Sequence, residues 1–218
     1  MLAYEALFGA FLFVPARTLV WERGWILMAV LLAIRIWGTI VVFRSQPELI
    51  AERSKPVIQQ GQPAADRVLL LTFMASYAAL VAFSSADATR LRLLGAPPLA
   101  VAALGLALFA GGSVLIALAL RENAFAVAVV RHQEERGHTV VATGPYGWIR
   151  HPLYAGAAVL MPGMALWLGS YAGAVASLVP TGILAARIVL EERFLFRRLP
   201  GYPEYAGRVR SRLVPGIW

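Results

Sequence analysis

Apolar residues in this chain run in long stretches rather than at the short intervals of soluble helices or strands. Six stretches stand out, at 2–14, 25–43, 68–83, 99–120, 153–168 and 171–190. A helix crossing a bilayer core of roughly 30 Å needs about 20 apolar residues, so these stretches predict membrane-spanning helices. No segment of useful length alternates with the two-residue period of a strand. The expected fold is therefore all-α, an integral membrane helical bundle of five or six transmembrane helices. Only Gly169-Ser170 separates the last two stretches, which predicts a helical hairpin near the C-terminus. The first stretch is short and carries Glu5. It has no basic leader and no small-residue cleavage site, so a retained, tilted first helix is expected.

Composition strengthens this picture. Of 218 residues, 59% are apolar and only 15% charged, whereas a soluble domain carries about 25% charged residues. Folded in water, such a chain would leave large apolar patches uncovered. The absence of cysteine excludes disulfides, thiolate metal sites and cysteine nucleophiles. A net charge of +8 raises the question of nucleic acid, but the arginines flank the apolar runs, so no nucleic-acid partner is expected. If the spans alternate, segments 44–67, 121–150 and 193–212 share one side and hold fourteen basic residues, against four on the other. Positive charge marks the cytoplasmic face, so these segments and the N-terminus are expected there, in a multi-pass protein. The connection 44–67 reads as a solvated linker. N-terminal helices over 1–120 and a chemistry-bearing region over 121–218 make up the expected organisation.

All three histidines, His132, His138 and His151, fall within 131–154. Gly144-Pro145 is a turn signal. Pro152 suits the first turn of a helix, which sets His151 just before a helix N-terminus, where free N–H groups favour an anion. Tyr146, Trp148 and Tyr154 cluster around that point, and aromatic faces attract cations; Trp148 and Tyr154 are also ordinary interfacial aromatics. The histidines lack the spacing of a helical metal pair and no cysteine assists them, so no metal is expected. Arg187, inside the last apolar stretch, is a functional candidate by its cost alone. It shares a helix face with Glu191, four residues on, and is placed either to pair with it or to snorkel to the surface. Arg35, near the middle of the second stretch, has no obvious helical partner. Ala103, Ala107 and Gly111 repeat every four positions and predict a face for close helix packing, in preference to a ligand-binding turn at Gly111-Gly112.

Several separated motifs recur in order. They are Gly144-Pro145-Tyr146, Arg150-His151-Pro152-Leu153-Tyr154-Ala155-Gly156, Glu191-Glu192, Pro200-Gly201-Tyr202, Tyr205, Arg208-Val209 and Arg212-Leu213-Val214-Pro215. Upstream stand Asn123, Phe125, Val129-Val130-Arg131 and Arg136-Gly137-His138, with a weaker match over 47–55. This series resembles the isoprenylcysteine carboxyl methyltransferase family in its bacterial form, over roughly 121–218.

The resemblance implies a cytoplasmic S-adenosylmethionine pocket in the C-terminal half, open sideways to a lipid-like or isoprenylated substrate, in a bacterial inner membrane. It places cofactor contacts at His138, Thr139, Val140, Val141, Tyr146, His151, Pro152, Leu153, Tyr154 and Glu191, with Glu192 beside it. Arg131 stands where eukaryotic members have a cofactor-contacting glutamine. Arg187 falls at the arginine beside the substrate carboxylate. Transfer of a methyl group from a sulfonium to a carboxylate needs no general base, because the nucleophile is already ionised at neutral pH. It needs orientation instead, and the absence of a nucleophile–base pair fits that chemistry. Alternatives remain open at this level: an amine or thiol lipid acceptor, an NADPH-dependent membrane reductase, or a transport subunit retaining the fold. Oligomeric state has no sequence signal.

Overall fold

The computed structural model describes residues 2–56, 58–59, 62–127, 129 and 136–218. Among them every regular element is helical. In chain order these are α1 (Leu2–Ala16), α2 (Glu22–Ser45), α3 (Pro47–Arg53), α4 (Ala64–Ala86), α5 (Leu99–Glu122), α6 (Pro152–Leu168), α7 (Tyr171–Ala176), α8 (Leu178–Arg198) and α9 (Tyr202–Arg208). A π-helical turn, Asp87–Leu91, extends α4, and a 3-10 turn, Gly144–Gly147, precedes α6. Four helical stretches, Glu22–Ser45, Ala64–Leu91, Leu99–Glu122 and Tyr171–Arg198, are long and apolar enough to cross a membrane, while α1 and α6 are apolar but shorter. The all-α membrane-spanning fold expected from the apolar runs is the one observed. Large apolar side chains such as Val14, Phe43, Val68, Leu99 and Leu178 face outward, as lipid-facing helices require.

The described chain forms two compact units that interleave in sequence. One comprises Met1–Trp37, Phe73–Val114 and Gly156–Gly182; the other comprises Gly38–Thr72, Leu115–Ala155 and Ile183–Trp218.

In the first unit α5 meets α6 at backbone contact. A Cβ on Gly105 would lie 2.7 Å from the Gly163 carbonyl oxygen, and one on Gly112 would lie 2.5 Å from that of Gly156. The buried face of α5 here is Ala102, Gly105, Phe109 and Gly112. This corrects the expected stripe. Ala103, Ala107 and Gly111 are exposed, and a Cβ on Gly111 would meet nothing within 4 Å. Both sets have helical spacing; the choice depends on what α6 offers opposite, and α6 offers Gly156 and Gly163. The hairpin after α6 turns at Gly169, whose φ of +105° is left-handed and suits glycine. Ser170 then caps α7 by accepting from the Gly173 N–H at 2.7 Å, while its hydroxyl donates to Asp87 Oδ2 at 2.6 Å. The last apolar stretch is thus two helices, parted at Ser177.

The second unit corrects the reading of 44–67 as a plain linker. The connection folds into α3, whose Leu49 is fully buried. Arg53 Nη1 donates to the Ala126 carbonyl at 2.7 Å and Gln46 Nε2 to that of Arg121 at 3.2 Å. At the other end of the sequence Leu199, Tyr202, Tyr205 and Ala206 form a small core, packed by Val140, Ala142, Leu195 and Val209.

Candidate active site

Five of the residues singled out by their chemistry, His151, Tyr154, Arg187, Glu191 and Glu192, come together in the second unit, around the second half of α8. Pro152 begins α6 as its position predicts, and His151 stands immediately before it, buried. Its ring stacks on that of Tyr154 with centroids 5.6 Å apart. From α8, Glu191 accepts the Tyr154 hydroxyl at 2.6 Å.

Glu192 faces a different set of partners. Oε1 accepts from Arg150 Nε at 2.7 Å and lies 3.2 Å from His151 Nε2, and Oε2 accepts from Arg212 Nε at 2.7 Å. The residue is 3% exposed, so both carboxylate oxygens are committed inside the protein. Arg150 extends the network, with Nη1 donating to the Ala206 and Val209 carbonyls at 3.3 and 3.1 Å. The backbone N–H groups of Arg150 and His151 donate to the Ser211 and Arg212 carbonyls at 2.9 and 3.0 Å. One carboxylate therefore ties the segment entering α6 to the segment following α9.

Arg187 lies one turn before Glu191 and is 5% exposed. Its Nε donates to Asp66 Oδ1 at 2.8 Å, and its guanidinium lies 5.9 Å from the Tyr154 ring centre. Asp66, on α4, is fully buried, and its Oδ2 accepts from Gln62 Nε2 at 2.7 Å. Asp66 thus joins the expected partner Glu191, whose carboxylate also acts on the Arg187 charge, and the snorkelling alternative fails because the guanidinium is buried. A buried arginine is retained only with compensating charge and hydrogen bonds, and Asp66 supplies both. Asp66, Gln62, Arg150 and Arg212 are the members of the cluster that spacing along one helix did not single out. The signal available for Asp66 was an acidic residue at the very edge of an apolar run.

The remaining candidates take other places. Tyr146 is buried, and its carbonyl accepts the Tyr205 hydroxyl at 2.8 Å. Burial pushes the Tyr205 phenol up to about 12, with Glu192 adding and Arg150 opposing, so it stays a donor at neutral pH. Burial likewise raises the Tyr146 phenol, opposed chiefly by a hydrogen bond with Asn123. His138 packs against Phe125 with ring centroids 4.6 Å apart and planes tilted by 34°. Val140 packs on the C-terminal core. Thr139 is exposed, and Val141 and Leu153 are half-buried. Trp148 is 82% exposed. Arg131 and His132 lie outside the described residues. Among the described residues no group of three or more acidic or histidine side chains could hold a metal ion.

Residues 100–199 match the phospholipid methyltransferase family. It is a family of integral membrane methyltransferases that includes the isoprenylcysteine carboxyl methyltransferases. The match supports a membrane methyltransferase acting on a lipid-like substrate, over the reductase and transport alternatives. The phospholipid methyltransferase segment runs from the start of α5 to just past α8, so it contains Tyr154, Arg187, Glu191 and Glu192. Asp66 and Arg212, which bind into the same cluster, lie outside it. No curated protein matches the chain.

Proposed function

We propose that the protein transfers a methyl group from S-adenosylmethionine to the carboxylate of a lipid-like, isoprenylcysteine-type acceptor, at a site on the cytoplasmic side of the membrane. The observation that carries this reading is the charge of the cluster around Arg187. Its guanidinium is balanced by Asp66, while the nearby Glu191 carboxylate is bonded by a neutral phenol. Glu191 is half-buried, and a hydroxyl holds its carboxylate in place beside the Tyr154 ring. A half-buried carboxylate beside an aromatic face favours a cationic ligand, which fits the cofactor's ammonium and sulfonium.

Bound there, S-adenosylmethionine supplies an electrophilic methyl group. The ammonium would be held by Glu191, with Tyr154 fixing that carboxylate through its hydroxyl. The face of Tyr154, already stacked on His151, offers cation–π attraction of about 0.5–2 kcal/mol. The first N–H groups of α6, starting at Pro152, are suited to the carboxylate end. Arg187 would align the acceptor carboxylate, a task for a planar fork of donors, with Asp66 setting the plane of the guanidinium. Glu192 is buried and already meets Arg150, His151 and Arg212, so its contribution is to position His151 and the C-terminal segment. Exclusion of water then favours a reaction in which opposite charges combine.

One observation favours a second acceptor class. Because Asp66 already neutralises Arg187, an uncharged amine or thiol acceptor would meet less desolvation cost than a carboxylate. The test uses purified protein in detergent with radiolabelled S-adenosylmethionine. Transfer to N-acetyl-S-farnesylcysteine supports the carboxylate reading, and transfer only to an aminophospholipid or an alkyl thiol replaces it. Failure to bind S-adenosylhomocysteine in calorimetry would sink both.

A further inference from the structure

Far from the α8 cluster in sequence, two ionisable side chains meet within the apolar helices of the first unit. Arg35 sits about 20 Å along α2 from one end and about 15 Å from the other, near the middle of the span. Its Nε lies 3.4 Å from Glu5 Oε1 on α1, and its guanidinium lies 4.8 Å from the centre of the Tyr4 ring. Glu5 is 8% exposed, yet among the described residues neither carboxylate oxygen receives a hydrogen bond. At 3.4 Å the pair has Coulomb attraction without a bond, and a buried carboxylate left that way is costly. Arg35, by contrast, keeps 31% of its side chain exposed, and its neighbours Tyr4, Leu32 and Ile36 also face outward. The pair is thus half satisfied and open on a lipid-facing side.

Such a pair suits a group that gives a hydrogen bond to Glu5 and takes one from Arg35. A hydroxyl does both. A phosphate or ammonium would have to leave the interface to reach this depth, at the cost that keeps charged groups out of hydrocarbon. We propose that α1 and α2 form a binding site for the hydroxyl of a neutral membrane alcohol, whose tail lies along Leu32 and Ile36. The site stands apart from the methyl-transfer reading and needs none of its residues.

The test uses the full chain in nanodiscs of dioleoylphosphatidylcholine with a photoreactive diazirine analogue of 1-hexadecanol. Labelling should map to peptides of α1 and α2 around Glu5 and Arg35, and excess 1-hexadecanol should suppress it. Hexadecyl methyl ether keeps the acceptor and loses the donor. It should compete roughly tenfold to over a hundredfold more weakly, as loss of one hydrogen bond to a charged group implies. Glu5→Leu with Arg35→Leu removes both charges together, a change that often leaves folding intact; its melting temperature should hold while this labelling disappears. Equal competition by the ether, labelling spread evenly over the outward surface, or persistence in the folded double variant would overturn the proposal. The ether comparison uses the unaltered protein, so it decides even if the double variant does not fold.

Discussion

Arg187 on α8 donates through Nε to Asp66 on α4 at 2.8 Å, across 121 residues of sequence. Breaking a buried pair by removing one partner costs about 3–5 kcal/mol, because the other charge is left uncompensated. Asp66→Asn should therefore lower the melting temperature in detergent sharply. Arg187→Lys keeps the charge but loses the planar fork. It should fold closer to wild type while acceptor turnover falls and affinity for S-adenosylhomocysteine is retained. Equal losses in both variants, confined to stability, would reduce Arg187 to a structural residue.

Glu191 and Tyr154 are expected to act on the other ligand. Tyr154→Phe removes the donor that fixes Glu191, and Glu191→Gln removes the charge itself. Each should weaken S-adenosylhomocysteine binding by roughly tenfold to over a hundredfold, the worth of one charged hydrogen bond. Calorimetry on both variants measures it, with Glu191→Gln the more severe.

For Glu192 the expected effect is on the tail. Glu192→Gln leaves Arg150, His151 and Arg212 around a neutral amide, and the segment after α9 should loosen. Trypsin should then cleave at Arg208, Arg210 or Arg212 well before it does in the wild type. An unchanged digestion rate with weakened cofactor binding would return Glu192 to the ligand.

The fold was legible in the sequence because long apolar runs leave few other structures open, and each expected span is helical, the last divided between α7 and α8. The site was half legible. His151, Tyr154, Arg187 and Glu191 announce themselves by chemistry and by position on α6 and α8. Their partners do not, because pairing across helices is fixed by how helices meet, and helical spacing within one segment carries no information about that. Asp66 is the clearest case, since it sits in a stretch that reads as linker running into an apolar span. The packing face of α5 failed for the same reason: two small-residue faces are available, and the sequence of α5 alone does not choose between them.

Those two faces give a sharp contrast. Gly111→Ala meets nothing within 4 Å and should stabilise the helix by up to about 1 kcal/mol. Gly105→Ala would push a methyl group to 2.7 Å from backbone on α6 and should cost about 1–3 kcal/mol. Thermal melts of the two variants should move in opposite directions.

The cytoplasmic placement is tested with single cysteines, which the cysteine-free chain permits without background. Cysteines at Lys55, Gly137 and Arg210 should resist an impermeant thiol reagent in intact cells. One at Leu94 should react. Reversal of this pattern would place the α8 cluster on the outer side.

The seam between α5 and α6 has one more consequence. Glycine has no rotamers to freeze, so closing this contact loses no side-chain entropy, and inside lipid little hydrophobic drive is present to weaken as temperature changes. What holds it is dispersion between peptide groups at close range. Its strength should therefore vary little with temperature while water-facing contacts rise and fall. On gradual heating, amide exchange along Gly105–Gly112 should be among the last in the first unit to accelerate.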